Sequence, residues 1–84
     1  MYTQSTFNLI LKLGEELREM YQNAPDKEKV TMIHLFGIKN GETILSRQLS
    51  ISDIVEVAGI QSSYKTEVSK GIKLSKYVQL KANN

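Results

Sequence analysis

The chain has 84 residues, of which 40% are hydrophobic and 24% are charged, so it is long enough for one small globular domain. It contains no cysteine, which excludes disulfides, thiolate metal sites and a thiol nucleophile. No apolar run approaches the roughly 18–20 residues of a membrane span. The N-terminal residues lack the basic start and following apolar stretch of a signal peptide. We therefore expect a single domain over residues 1–84 of a cytoplasmic protein.

The net charge of +2 is unevenly distributed along the chain. Residues 1–29 carry four basic and five acidic side chains, which gives −1, whereas residues 61–84 carry five lysines and one acid, Glu67, which gives +4. A basic C-terminal third is typical of proteins that bind a polyanion. A lysine-rich solvated surface is the alternative interpretation.

The first predicted helix runs over residues 4–23. Its apolar residues recur at spacings of three and four and form one stripe, which consists of Phe7, Ile10, Leu13, Leu17 and Met20 or Tyr21. Gly14 lies inside this pattern and indicates a close contact with another helix. The wide stripe suits two roles, namely covering the rest of a small domain and forming the interface of a homodimer.

Pro25 interrupts the chain after this helix, because proline fixes its own φ and disfavours helical backbone at the residue before it. Acidic residues after Pro25 suit the start of a new helix and Asn40-Gly41 suits its end, which predicts a second helix over residues 26–39. Residues 28–38 are also rich in β-formers, so a strand is the alternative there. Residues 43–49 alternate loosely and predict an extended link or a short strand.

The most informative segment begins at Ser50. Ser50 and Asp53 have the spacing of a capping box, which predicts a helix near residues 51–58. Gly59 suits a left-handed turn after that helix, and the polar residues beyond it suit the start of another helix near Ser62.

The last predicted elements complete this motif. Gly71 is the predicted end of the second helix, so the helix-turn-helix unit would span residues 50–71. Residues 76–81 alternate between polar and apolar side chains, which predicts a short strand that pairs with residues 44–49.

A capped helix, a turn of glycine and one apolar residue, and a second helix with a polar start form the layout of a helix-turn-helix motif. The segment 51–78 resembles helix-turn-helix domains. Residues 59–78 are also similar to a family of small bacterial helix-turn-helix-like domains that occur alone or beside restriction-type modules, and the resemblance covers about residues 7–81. It implies a mainly α fold, namely a trimmed winged helix with a short two-stranded β element.

The sequence departs from the usual helix-turn-helix pattern at two places. The sixth position after the turn glycine is usually apolar, but here it is Lys65. The neighbouring Tyr64 fills that inward role if the helix is shifted by one residue. No second strand of a wing follows Lys81.

The resemblance implies a DNA-binding module, either a regulator or an accessory domain, that contacts double-stranded DNA through the helix starting near Ser62. Hydroxyl side chains can bond to bases or phosphates, and lysine suits phosphates or guanine edges. The candidate DNA-contacting residues are Gln61, Ser62, Ser63, Lys65, Thr66, Lys70, Lys73 and Arg47. The alternative is a protein-interaction or dimerisation module without a nucleic-acid ligand, and we expect a homodimer.

No set of residues predicts catalysis. His34 has no second ligand at helical spacing, so a partly buried structural histidine is favoured over a metal ligand. Residues 25–29 hold two acids and two lysines compressed into one turn, unlike the separated acids of a nuclease site. Gly37 and Gly41 do not precede the Gly-Lys-Ser/Thr of a phosphate loop. We expect no enzyme activity, cofactor, metal, small-molecule substrate or membrane association.

Overall fold

The computed structural model describes residues 3–81, which form four α-helices and one 3₁₀ turn. The helices are α1 at Gln4–Gln22, α2 at Lys29–Ser46, α3 at Ile51–Ala58 and α4 at Lys65–Leu74, and the 3₁₀ turn at Ser62–Tyr64 leads directly into α4. The predicted mainly α fold is therefore confirmed.

The predicted two-stranded β element is wrong, because the described residues 3–81 contain no strand. Residues 44–46 form the last turn of α2, and residues 76–81 form the end of a turn followed by irregular backbone. Ile44 and Leu49, which the strand prediction placed in one strand, are both buried in the helical core. Residues 3–81 thus do not form the predicted trimmed winged helix.

The second helix is shifted from its predicted span of residues 26–39. It starts later because residues 25–28 form a turn, in which the Glu28 N–H donates to the Pro25 carbonyl at 3.0 Å. It is helical throughout residues 29–46, so the strand alternative for residues 28–38 is wrong. It also continues through Asn40-Gly41, because Gly41 faces α4 at a site where a Cβ would collide with Ser75.

The end of α2 lies at Ser46 and has the hydrogen bonds of a Schellman motif. Gln48 adopts the left-handed conformation with φ 53°, and the Leu49 N–H donates to the Ile44 carbonyl at 2.9 Å. Leu49 is buried directly after this turn. The chain is thereby directed into α3.

Two pairs of helices pack closely across glycine residues. In the first pair, Gly14 of α1 faces Val57 of α3, which confirms the close contact predicted from its position. In the second pair, Gly37 of α2 faces Gly71 of α4. The absence of side chains at these positions allows the helix backbones to approach each other.

The core lies between the two helix pairs. Its largest fully buried side chains are Phe36, Leu17, Ile33, Ile54, Val55 and Val68. Ile10, Leu13 and Leu17 of the predicted α1 stripe are buried here, so most of that stripe covers the domain itself. Phe7, at the start of the stripe, remains 49% exposed.

Candidate nucleic-acid interface

The turn between α3 and α4 is built by the two local signals found in the sequence. The Ser50 hydroxyl accepts a hydrogen bond from the Asp53 backbone N–H at 3.1 Å, which satisfies one of the free donors at the start of α3. Gly59 ends α3 with φ 74°, a conformation that strongly favours glycine. These contacts fix both ends of the first helix of the motif.

Arg18 of α1 holds the end of α3 from the other side. Its guanidinium donates to the carbonyl oxygens of Val57 at 2.7 Å and Ala58 at 3.3 Å. A cation at a helix C-terminus satisfies free carbonyl groups and interacts favourably with the helix dipole. Sequence reasoning missed this role, because the partners are about 40 residues apart.

The start of α4 contains the predicted one-residue shift. Tyr64 is half-buried and packs edge-to-face on Tyr21, with ring centroids 5.4 Å apart, whereas Lys65 is exposed. The 3₁₀ turn has three residues per turn instead of 3.6, which rotates Tyr64 relative to a continuous α-helix. Tyr64 thus occupies the inward position that is usually apolar.

The inner and outer faces of α4 differ sharply in chemistry. Val68, Gly71 and Ile72 are buried, whereas the opposite side carries hydroxyl and ammonium groups. Its exposed residues Thr66, Lys70 and Lys73 recur at spacings of three and four, which places them along one face, and the exposed Ser62 precedes them in the 3₁₀ turn. We call these four residues the α4 outer face.

The predicted end of this helix at Gly71 is wrong. The helix continues to Leu74 because Gly71 lies in the crossing with α2, where a Cβ would come within 2.4 Å of the His34 carbonyl oxygen. Lys73 therefore belongs to the last turn of α4 and lies on the same rigid element as Lys70.

The other four candidate residues lie outside this face. Gln61 and Ser63 are exposed at the turn itself, and Lys65 lines a crease with Val55 and Glu56 of α3. Arg47 is exposed at the end of α2, and no hydrogen bond or ion pair within residues 3–81 joins it to α4. The structure thus brings together four of the eight candidates.

Glu67 of α4 is only partly exposed, because its carboxylate is directed toward α2. Its carboxylate accepts a hydrogen bond from His34 Nε2 of α2 at 2.7 Å, and Lys70 Nζ lies 3.4 Å from its other oxygen. The hydrogen bond from His34, with a further contribution from Lys70, holds the pKa of Glu67 below its usual value. His34 thus has a structural partner that sequence spacing could not identify.

The described part of the chain offers no evident site for a metal ion. No group of three or more histidine, aspartate or glutamate side chains in residues 3–81 is arranged to hold one. None of the helices described there combines the length and apolar content needed to cross a lipid bilayer.

A protein-family model described as an HTH-like domain matches residues 10–81. The matched range includes α2, α3, α4 and most of α1. Neither curated proteins nor solved structures gave a significant match.

Proposed function

We propose that this chain, which belongs to the family of HTH-like domains, binds double-stranded DNA through the α4 outer face. In this proposal it acts as a regulator or as an accessory domain of a partner protein, without catalytic activity. The observation that carries the proposal is the row of hydroxyl and ammonium groups on α4 directly after the Gly59 turn. In helix-turn-helix proteins this second helix enters the major groove.

The two ends of the α4 outer face suit different parts of DNA. Ser62 and Thr66 lie near the start of the helix, where recognition helices contact base edges. Lys70 and Lys73 lie toward its end and suit the phosphate backbone, which supplies most of the affinity of such complexes. The expected interface therefore reads bases with hydroxyl groups and holds the duplex with lysines.

The charges around this face favour a phosphate ligand. Lys73 is exposed and has no ion-pair partner within the described residues. Glu67 is the acidic residue on α4, and its carboxylate contacts His34 and Lys70 but not Lys73. A phosphate approaching Lys73 thus meets a free ammonium group.

The proposal is tested by fluorescence anisotropy with labelled random-sequence duplex DNA over a series of salt concentrations. Each phosphate contact should contribute about 0.9 to the slope of log affinity against log salt. Lys73→Ala should weaken binding to all duplexes alike and reduce this slope by about one unit. Lys12→Ala is the matched control, because Lys12 is exposed on α1.

Two results would contradict the proposal. One is a wild-type protein that does not bind duplex DNA even at about 50 mM salt, where non-specific electrostatic binding is strong. The other is a Lys12→Ala variant that loses as much affinity as Lys73→Ala, since the contact would then not be specific to α4.

A protein-interaction module is the second candidate function. Its support is a set of exposed apolar side chains at the ends of α2 and α4 and in the segment after α4, namely Leu45, Leu74, Tyr77, Val78 and Leu80. Soluble domains expose such clusters mainly where they bind another molecule. Failure of DNA binding together with self-association would favour this candidate.

A further inference from the structure

An apolar groove with an acidic rim lies between α1 and α3. It is lined by Phe7, Ile10 and Val57 together with Asp53 and Glu56, and its cavity volume is about 430 Å³. Neither carboxylate takes part in an ion pair within residues 3–81. The groove thus combines exposed apolar surface with uncompensated negative charge.

The C-terminal segment, residues 76–81, has the complementary composition. Tyr77 is 83% exposed, Val78 is 49% exposed and Leu80 is 38% exposed, and lysines lie at both ends of the segment. Neither Lys76 nor Lys81 has an ion-pair partner among the described residues. Covering apolar surface of this extent lowers the free energy, so the segment favours binding to another apolar surface.

We propose that the C-terminal segment of one copy of this chain binds the α1–α3 groove of a second copy, reciprocally, in a homodimer. Val78 and Leu80 lie two residues apart, so in an extended conformation they share one face and can pack on Phe7 and Val57. The flanking lysines then lie near the acidic rim of the groove. Apolar burial supplies affinity, and the opposite charges fix the orientation.

A second copy is the favoured occupant because the segment does not occupy the groove of its own chain. The groove belongs to α1 and α3, whereas the segment follows α4, and none of residues 76–81 lines the groove. Both surfaces therefore remain open in one chain. A two-fold axis would cover both grooves and both segments at once.

This proposal does not depend on DNA binding. The proposed contacts use the groove and residues 76–81, and none of these residues belongs to the α4 outer face. A dimer without DNA binding would support this proposal and contradict the proposed function. DNA binding by a protein that stays monomeric would support the proposed function and contradict this proposal.

The test is analytical ultracentrifugation of the full chain over a range of protein concentrations. The wild type should show a concentration-dependent dimer. Glu56→Lys and Lys81→Glu should each weaken it by about tenfold, because each places like charges together at both contacts. Glu19→Lys, an exposed site on α1 away from the groove, is the control and should leave the dimer unchanged.

An equimolar mixture of the two variants gives the sharpest result. When a Glu56→Lys copy pairs with a Lys81→Glu copy, both contacts again join opposite charges, so the mixture should dimerise more strongly than either variant alone. Circular dichroism of each variant establishes that it is folded. A wild type that stays monomeric, a dimer insensitive to both variants, or a mixture without recovery would overturn the proposal.

Discussion

The two helix crossings of this domain both depend on glycine, but the glycines meet different neighbours. A Cβ added at Gly14 in the α1–α3 crossing would lie 2.3 Å from Cγ1 of Val57, which is a side-chain atom. A Cβ added at Gly71 in the α2–α4 crossing would lie 2.4 Å from the His34 carbonyl oxygen and 2.9 Å from the Gly37 Cα. The first crossing is limited by a side chain and the second by the backbone itself.

The side chains that join each pair of helices differ as well. Arg18 joins α1 to α3 through backbone carbonyl groups, which do not titrate. The hydrogen bond between His34 and Glu67 joins α2 to α4 through two titratable groups. The comparison indicates that the α2–α4 crossing, which positions the α4 outer face, is less tolerant of substitution and more sensitive to acid.

Gly71→Ala should have the largest effect on stability. Alanine gains about 1 kcal/mol of helix propensity, but its methyl group can be accommodated only if the two backbones separate. Overpacking of this kind typically costs about 1–3 kcal/mol and occasionally more. With a cost at the upper end of that range, offset by the gain in helix propensity, we expect a net loss of about 2 kcal/mol, measured by urea unfolding. A neutral or stabilising result would show that the crossing is looser than these distances indicate.

Gly14→Ala should cost less, about 1 kcal/mol, because its two nearest neighbours are Cγ1 and Cβ of one side chain, Val57, and the Ile54 carbonyl oxygen lies 3.2 Å away. The loss should shrink further in a Val57→Ala background, which removes the nearest atom, Cγ1, and leaves the Val57 Cβ position 2.5 Å away. A double-mutant cycle by urea unfolding measures this coupling. Equal losses for Gly14→Ala in both backgrounds would contradict the side-chain explanation.

The part of the fold that could be predicted from the sequence is the part fixed by local contacts. The helix at residues 51–58 is predictable because its cap at Ser50 and its end at Gly59 depend on atoms within a few residues. The inward role of Tyr64 could also be anticipated, because Tyr64 precedes the buried Val68 by four residues, although its contact with Tyr21 could not.

The errors come from contacts between distant segments. Gly41 and Gly71 resemble helix ends in the sequence, but each lies inside a helix because another helix passes close to it. The candidate interface shows the same division between local and distant contacts. The lysines and hydroxyl groups of α4 could be selected from their types, whereas the direction of Glu67 depends on His34, which lies 33 residues earlier.

The smallest expected effect is a difference in acid sensitivity between the two crossings. The pKa of Glu67 in the folded chain lies below its usual 4.5, chiefly because His34 donates to the carboxylate. The unfolded chain therefore takes up the proton first as the pH falls, so the stability contributed by Glu67 is fully present above pH 4.5 and is lost as the pH falls through the folded-state pKa.

Glu67→Gln should accordingly lower the urea midpoint at neutral pH and have progressively less effect in acid. Arg18→Gln, at the other crossing, should lower the midpoint by a similar amount at every pH, because the carbonyl groups that it leaves unpaired do not titrate. If the difference in urea midpoint between Glu67→Gln and the wild type stayed constant from neutral pH to acid, the charge of Glu67 would have no part in holding α4 against α2.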